Sequence, residues 1–390
     1  MSLPIVVQVV VDKPLAQGFD YLWDKTMLGL DPQIGHVVEV PFSRSSLVGV
    51  VIKVSTHSEY EISKLKAVAK VALLPPIDQA ALRLMNFASQ YYIHGLGETI
   101  IPAIPQMWKK PANWEKLSAG LLVNDNKGPK KKENEKSLAE GFVSESQLND
   151  VQKAALNRLN DSCPQEGFQV ALLQGQTGSG KTAVFLNWLS TLLKDKKSQA
   201  LILVPEINLT PQLERRVRAY FPEKKMAVLH SGVSEKKRGK AWFEAITGEA
   251  QIILGTRLAA LTPLPNLRAI VVDEEHDASY KQQEGARYSA RDLAIYRARL
   301  EGAKVILISF DSTLRSNLSV GMPIDLLMYE RDSLEISYQR RISQNDPYFD
   351  KLSKGWSGAL REAFKNIDNY RDPSLPEVPV VISPLDTPAK

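Results

Sequence analysis

The segment Gly175-Gln176-Thr177-Gly178-Ser179-Gly180-Lys181-Thr182 has the full G-x-x-x-x-G-K-[ST] spacing of a phosphate-binding loop. Its glycines let successive backbone N–H groups turn inward around a β-phosphate, and the helix opening at Lys181 aims its N-terminus at the same anion. Lys181 is placed to reach the β- and γ-phosphates, and Thr182 to ligate the accompanying Mg²⁺. An apolar run precedes the loop and an apolar helix pattern follows it, the context such a cradle needs. A second reactive cluster, Asp273-Glu274-Glu275-His276, ends the apolar run LRAIVV. Asp273 is expected to hold Mg²⁺ through its water shell, and Glu274 to polarise the attacking water. An acidic cluster after a strand is by itself usually a solvated strand end; following a phosphate cradle in the same α/β pattern, it reads as chemistry. An isolated histidine is more often structural, but His276 beside the water-polarising carboxylate suits a sensor that links nucleotide state to another ligand.

These groups need strand ends to hold them. Apolar strands are predicted at 170–174, 200–204, 250–255, 267–274 and 303–309, with helical segments between most of them. That order over residues 147–320 implies a parallel sheet covered by helices on both faces, a RecA-like P-loop lobe of the α/β class. Residues 1–108 read instead as a small β-rich domain, with β-branched runs at 4–11, 36–40 and 47–54 bounded by Gly, Pro and Ser. A helix is predicted from Asp78, its N-cap, to Tyr92, with Ala81, Leu84, Phe87 and Tyr91 at helical spacing. Residues 109–146 include KGPKKKENEK and read as a flexible basic linker, either a solvated spacer or a nucleic-acid tail. Residues 321–390 are rich in Pro, Gly and polar residues and lose the alternation.

The chain has 390 residues, 44% hydrophobic and 24% charged, room for two or three domains and a sizeable core. It has no apolar run of membrane-spanning length, and its start lacks the basic region and cleavage site of a signal peptide. The single cysteine, Cys163, excludes an internal disulfide framework and a multi-cysteine zinc site. These features fit a cytoplasmic protein that takes no membrane partner. A net charge of +5 leans weakly toward a polyanionic partner.

LNDVQ (148–152), GQTGSGKT, LVPEINLTPQ (203–212), HSG (230–232), GTR (255–257) and DEEH (273–276) resemble the ordered motifs of superfamily 2 helicases. The stretch 273–298, DEEHDASYKQQEGARYSARDLAIYRA, is similar to the aromatic-rich loop region of the bacterial primosomal replication-restart helicases. GFDYLW (18–23), GHVVEVPF (35–42) and KLKAV (64–68) resemble that family's DNA 3′-end-binding domain. The resemblance covers residues 1–108 and 147–309. It implies an ATP- and Mg²⁺-dependent 3′→5′ DNA helicase of replication restart, partnered by forked DNA with a free 3′ end, by single strands, and by primosome and single-strand-binding proteins. Gln152 would read the adenine edge. Phe19, Asp20, Tyr21 and Lys66 would line the pocket for a 3′-hydroxyl terminus; the competing reading makes Phe19 and Tyr21 core residues. Tyr280, Lys281, Gln282, Arg287, Tyr288 and Arg291 would bind single-stranded DNA by stacking and phosphate contacts, joined by Arg257 and the Thr210-Pro211-Gln212 turn.

The chain also departs from the family pattern. A winged-helix module is expected between the two domains, where the linker stands. Ser309-Phe-Asp-Ser-Thr-Leu-Arg-Ser316 replaces S-A-T-P-S-L-E-S, the motif that couples hydrolysis to strand movement. Ser43 stands where the family's end-binding pocket has glycine. The second motor lobe, with its zinc-binding cysteines and an arginine finger worth about 10³–10⁵ in turnover in related NTPases, is not recognisable after Val320. Nucleotide binding with little hydrolysis is therefore expected; a gene that ends early, a fragment of a longer chain or a reading-frame change near residue 310 would each give this sequence. An alternative is a non-catalytic, ATP-sensing protein that binds fork ends; a generic P-loop ATPase with no DNA role is disfavoured by the 273–298 stretch.

Overall fold

Runs of valine build the first sheet. In the computed structural model, which describes residues 4–15, 17–114, 148–162, 167–175, 178–205, 210–309 and the backbone of 325–328, β1 (Val6–Val11) lies between β2 (Phe19–Leu22) and β4 (Ser45–Ser55), and β3 (Val37–Phe42) and β5 (Lys70–Val71) complete the order β2-β1-β4-β3-β5. The pairs β1–β2, β1–β4, β3–β4 and β3–β5 are antiparallel. β-Branched side chains suit a pleated, packed surface, and Val7, Val9, Val11, Val38, Val40, Val51 and Val68 form the core with Tyr21 and Trp23. A four-residue helix, α1 (Lys25–Leu28), is capped by Asp24, whose carboxylate accepts from the N–H groups of Thr26 and Met27. The two-residue connection between Phe42 and Ser45 places Ser43 at φ 52°, the left-handed region in which glycine carries no penalty. That is a physical reason for the glycine the family pattern has there.

Asp78 caps α2 (Gln79–Tyr91) as expected, accepting from the Ala81 N–H at 2.8 Å. Helix α3 (Leu96–Ala103) follows, and a 3₁₀ turn at Gln106–Lys109 carries the chain to Trp114.

The second sheet is parallel. Its strands are β6 (Gln169–Gln174), β7 (Gln199–Leu203), β8 (Met226–Leu229), β9 (Ile252–Gly255), β10 (Leu267–Val272) and β11 (Lys304–Ser309), in the order β6-β11-β10-β7-β9-β8. A four-residue strand, β12 (Asp325–Met328), stands beyond β6. Five of these strands match the expected runs; β8 was hidden because four apolar residues, MAVL, carry no period to read. Helices α4 (Asp150–Ser162), α5 (Lys181–Leu192), α6 (Thr210–Tyr220), α7 (Glu235–Ile246) and α8 (Ala290–Glu301) link and cover the strands. Buried strand residues such as Val170–Leu173, Ala200–Leu203 and Ala269–Val272 show why the runs are continuously apolar.

The chain divides into two units, Met1–Leu326 and Leu327–Lys390; the small sheet and strands β6–β11 belong to the first. Trp108 joins them: fully buried, it donates from Nε1 to the Gly239 carbonyl of α7 at 3.0 Å and stacks on Phe243. Gly239 leaves room for Met107, since a Cβ there would lie 1.5 Å from the Met107 sulfur and the methionine side chain would have to move. Phe87 of α2 stacks on Tyr296 of α8 with centroids 3.8 Å apart. The linker expected at 109–146 falls outside the described residues beyond Trp114, as do Ser316 and most of 321–390.

Arg297 pins α8 to the 3₁₀ turn that follows β9. It is 1% exposed, donates from Nη1 to the carbonyls of Ala260 and Thr262, and pairs through Nε with Glu301 at 2.7 Å. Removing it would leave the Glu301 carboxylate without that partner and two carbonyls without donors. Arg297→Ala is expected to cost about 3–5 kcal/mol of unfolding free energy, read by chemical denaturation; a loss within 1 kcal/mol would show that the buried pair is dispensable.

Candidate nucleotide site and strand-end cleft

In an open parallel sheet, ligands bind beyond the carboxyl ends of the strands. Registers that pair Gln174 with Ser309, and Val272 with both Leu307 and Leu203, bring the loops after β6, β7, β10 and β11 to one edge. The phosphate loop leaves β6 there, and Gly175 donates its N–H to the Ser309 carbonyl at 3.2 Å. Gly178 and Gly180 take φ 83° and 86°. A Cβ at Gly180 would lie 2.2 Å from the Gln152 amide nitrogen, so any side chain there would displace the Gln152 amide. Gln176 and Thr177 lie outside the described residues.

Lys181, the first residue of α5, is 9% exposed and its ammonium donates to the Gly175 carbonyl. Burial pulls its pKa down, opposed by the nearby carboxylates of Glu274 and Asp273. Thr182 follows, half-buried. The Ser179 hydroxyl oxygen is buried in the cradle without a hydrogen-bond partner among the described residues. A buried lysine, an unsatisfied hydroxyl and two left-handed glycines beside paired carboxylates fit a Mg²⁺–nucleotide phosphate chain.

Gln152 stands on the other side of the loop. Its Nε2 donates to the Ser179 carbonyl at 3.0 Å, its Oε1 accepts from the Asn149 N–H, and Asn149 returns the bond to the Gln152 N–H. One N–H and one lone pair of the amide remain for a base edge.

The acidic turn is wound tightly. Glu274 has φ 46°, a region that costs a non-glycine residue about 1–2 kcal/mol, and its carbonyl accepts from the Asp277 N–H at 2.9 Å. His276 bridges outward, its Nε2 3.5 Å from a Glu274 carboxylate oxygen and its Nδ1 3.2 Å from the Ser309 hydroxyl. His276 is thus a physical link from Glu274 to β11. Burial, reinforced by the Glu274 charge, raises the Asp273 carboxyl to about 6.

The residues expected to contact DNA separate into groups. Tyr280 is 2% exposed, with its hydroxyl against the carbonyls of Leu203 (3.0 Å) and Asp273 (2.5 Å). Tyr288 is 5% exposed. Neither ring is presented on an open loop surface. Arg291 is committed to Glu275 and Asp292 at 3.0 and 2.9 Å. Lys281 and Arg287 are exposed, and the Lys281 ammonium stands 4.7 Å from the Tyr92 ring centroid. Arg257 donates to the Ser279 carbonyl at 3.1 Å, and the Ser279 hydroxyl donates to that of Pro205, so the loops after β9, β10 and β7 are tied together. Gln282 donates its backbone N–H to the Tyr288 carbonyl; in the 210–212 turn, Pro211 and Gln212 are exposed.

A cleft of about 990 Å³ opens beside these loops. Arg257, His230 and Tyr288 line one part, and Pro105, Gln106 and Lys109 bring the N-terminal domain to it. Arg238 adds a cation, against the acids Asp12, Glu98 and Glu284.

In the small domain, Asp20 and Lys66 share the edge at β2. The Asp20 carboxylate accepts from the Ser58 hydroxyl at 2.6 Å, and Lys66, exposed, gives its carbonyl to the Leu22 N–H. Tyr21 is 5% exposed in the core, its hydroxyl donating to the Pro41 carbonyl, and Phe19 packs edge-on against Phe42. Strand alternation turns both rings away from Asp20. The core reading of the two aromatics is therefore the one their packing shows. Ser58 was not foreseen: it reaches Asp20 across 38 residues of sequence, and no local pattern marks such a pair.

Comparison with known proteins finds two family models and several relatives. The 3′DNA-binding domain (3′BD) family model matches residues 8–105, and the DEAD/DEAH box helicase model matches residues 149–317. A replication restart protein PriA of Haemophilus influenzae is 33% identical over 374 residues, covering 80% of this chain and 50% of that protein. The PriA of Helicobacter pylori is 29% identical, covering 88% of this chain and 48% of its own length, and that of Bacillus subtilis is 40% identical over 169 residues, covering 43% of this chain and 21% of its own. The chain thus spans about half the length of the Haemophilus and Helicobacter relatives. No helix among the described residues is long and apolar enough to cross a membrane, and they contain no group of three or more His, Cys, Asp or Glu arranged to hold a metal ion.

Raising Asp273 from 3.8 to about 6 means that the folded chain binds a proton that the unfolded chain releases. Stability from this group is complete below pH 4 and is lost as pH rises through about 6. Without divalent cation, Asp273→Asn is expected to stabilise the fold at pH 7.5 by on the order of 2 kcal/mol, with the gain vanishing toward pH 4. Thermal denaturation in chelator at the two pH values reads this; an equal effect at both would remove the carboxyl's burial as its cause.

Proposed function

Because the chain belongs to the PriA family of replication restart proteins, we propose that its function is ATP-dependent DNA unwinding in replication restart, at forks presenting a free 3′ end. The observation that carries this reading is the convergence of buried Lys181 with Asp273 and Glu274 at the carboxyl edge of the parallel sheet, within one compact unit that also holds the small DNA-end domain. Lys181 and the cradle N–H groups would bind the β- and γ-phosphates. Thr182 and Asp273 would hold Mg²⁺, which supplies charge neutralisation on those oxygens. Glu274 is the group to orient and deprotonate water, and its contact with His276 passes that state to Ser309. Gln152 offers its remaining donor and acceptor to adenine.

Strand binding falls to Arg257 in the cleft and to the exposed cations of the loop beside it. Arg257 is half-exposed with donors beyond its bond to Ser279, and Lys281 and Arg287 add charge for phosphates. Tyr280 and Arg291 support that surface from beneath, and Tyr288, almost fully buried, forms part of the cleft wall. At the 3′-end site, Asp20 accepts from a terminal 3′-hydroxyl while Ser58 fixes its other hydrogen bond, and Lys66 meets the backbone phosphate. Primosome and single-strand-binding proteins are proposed partners on family grounds, and the cytoplasm is the proposed location.

A terminal phosphate would set two negative groups together at Asp20. A recessed 3′-phosphorylated DNA end is therefore expected to bind the full chain about tenfold more weakly than the 3′-hydroxyl end, or ~1.4 kcal/mol, with Asp20→Asn narrowing the gap. Fluorescence anisotropy measures both. Equal affinity for the two ends would defeat the end-recognition reading and leave general basic attraction.

A further inference from the structure

The N-terminal domain meets the loop after the acidic turn at one aromatic side chain. Lys281 and Ser289 are bridge partners, and the Gln282 N–H donates to the Tyr288 carbonyl at 2.9 Å, so residues 281–289 form a small hairpin. Tyr92, at the carboxyl end of α2, sits across its base. The Ser289 N–H donates to the Tyr92 hydroxyl at 3.1 Å, and the Lys281 ammonium lies 4.7 Å from the centre of the Tyr92 ring. One side chain thus grips both arms of the hairpin. Next to Lys281, Tyr280 holds the hairpin's other side, with its hydroxyl against the carbonyls of Leu203 and Asp273.

We propose that Tyr92 is a positioning residue that transmits between the DNA-end domain and the nucleotide site, by holding the 281–289 hairpin against the Asp273 turn. The path has three physical contacts: Tyr92 to Lys281 and Ser289, the covalent step from Lys281 to Tyr280, and Tyr280 to the Asp273 carbonyl. A shift of the hairpin when DNA binds is passed through Tyr280 to the backbone of the residue assigned to Mg²⁺, while the resting position of Tyr280 is fixed by its own bonds to Leu203 and Asp273. Ser289 also caps α8, accepting from the Asp292 N–H at 3.3 Å, so the grip extends into the helix that carries Arg291 and Arg297. The hydroxyl contributes a hydrogen-bond acceptor, and the ring a cation–π contact that survives without the hydroxyl. The proposal rests on the nucleotide and DNA reading given above. By linkage, it requires DNA to alter nucleotide affinity and nucleotide to alter DNA affinity by the same factor.

The experiment titrates the full chain with a fluorescent Mg²⁺–ATP analogue, with and without a saturating single-stranded oligonucleotide ending in a 3′-hydroxyl. The wild type is expected to show a change in nucleotide affinity with DNA of about fivefold or more. Tyr92→Phe keeps the ring and is expected to retain part of that change; Tyr92→Ala is expected to abolish it. Affinity without DNA should stay within about twofold of wild type in both variants, a result that loss of packing alone would not give. Full DNA dependence in both variants, or none in a wild-type chain that binds both ligands, would overturn the proposal. A wild-type chain that binds neither ligand would instead overturn the functional reading beneath it.

Discussion

The turn that follows β10 is the constraint on which the rest of the site depends. Glu274 occupies a left-handed conformation, and its neighbours hold it there: Asp273 donates its N–H to the Leu203 carbonyl, Glu275 to that of Ile308, and Asp277 to that of Glu274. The turn is therefore stitched to the strands on both sides of β10. An extended backbone would carry the carboxylates off along the strand direction; the left-handed step aims consecutive acids at different targets. Asp273 is turned in, where burial raises its pKa, while Glu274 reaches His276 and Glu275 reaches Arg291. The strain is local, and the surrounding hydrogen bonds over-determine it.

From that turn, contacts spread along the carboxyl edge. Lys181 shares the field of the two acids. Ser309 receives His276 and lends its carbonyl to the phosphate loop. Tyr280 and Ser279 carry the connection to β7, and Arg257 carries it to β9. A change in charge at the cradle therefore bears on loops that line the cleft. The N-terminal domain is part of the same body, fixed by Trp108 on α7 and by Phe87 on α8.

The sequence made one class of information legible and concealed another. Strands β1, β6, β10 and β11 were readable because each is a run of β-branched or aliphatic residues, and the cradle because its glycines sit at fixed offsets. Asp78 was readable as a cap because capping is local. Tyr21, Tyr280 and Tyr288 were different: residue type says that a tyrosine is amphipathic, but not which way a loop turns it. Tyr280 is drawn inward by two carbonyls, one of them 77 positions away. The family resemblance gave Arg291 as a DNA contact, whereas its carboxylate partners include Glu275, set 16 positions earlier by the turn. Ser58, Tyr92 and Lys109 enter through tertiary placement, which no window of sequence encodes.

The central claim is that the strand-end edge binds nucleotide through Lys181 and the carboxylates that share its field. Calorimetric titration of the full chain with a non-hydrolysable Mg²⁺–ATP analogue, wild type beside Lys181→Ala, tests it most directly. The account predicts saturable binding by the wild type, weakened about a hundredfold or more in Lys181→Ala, roughly 2.7 kcal/mol, with thermal unfolding showing both proteins folded. Affinities within twofold of each other would contradict it.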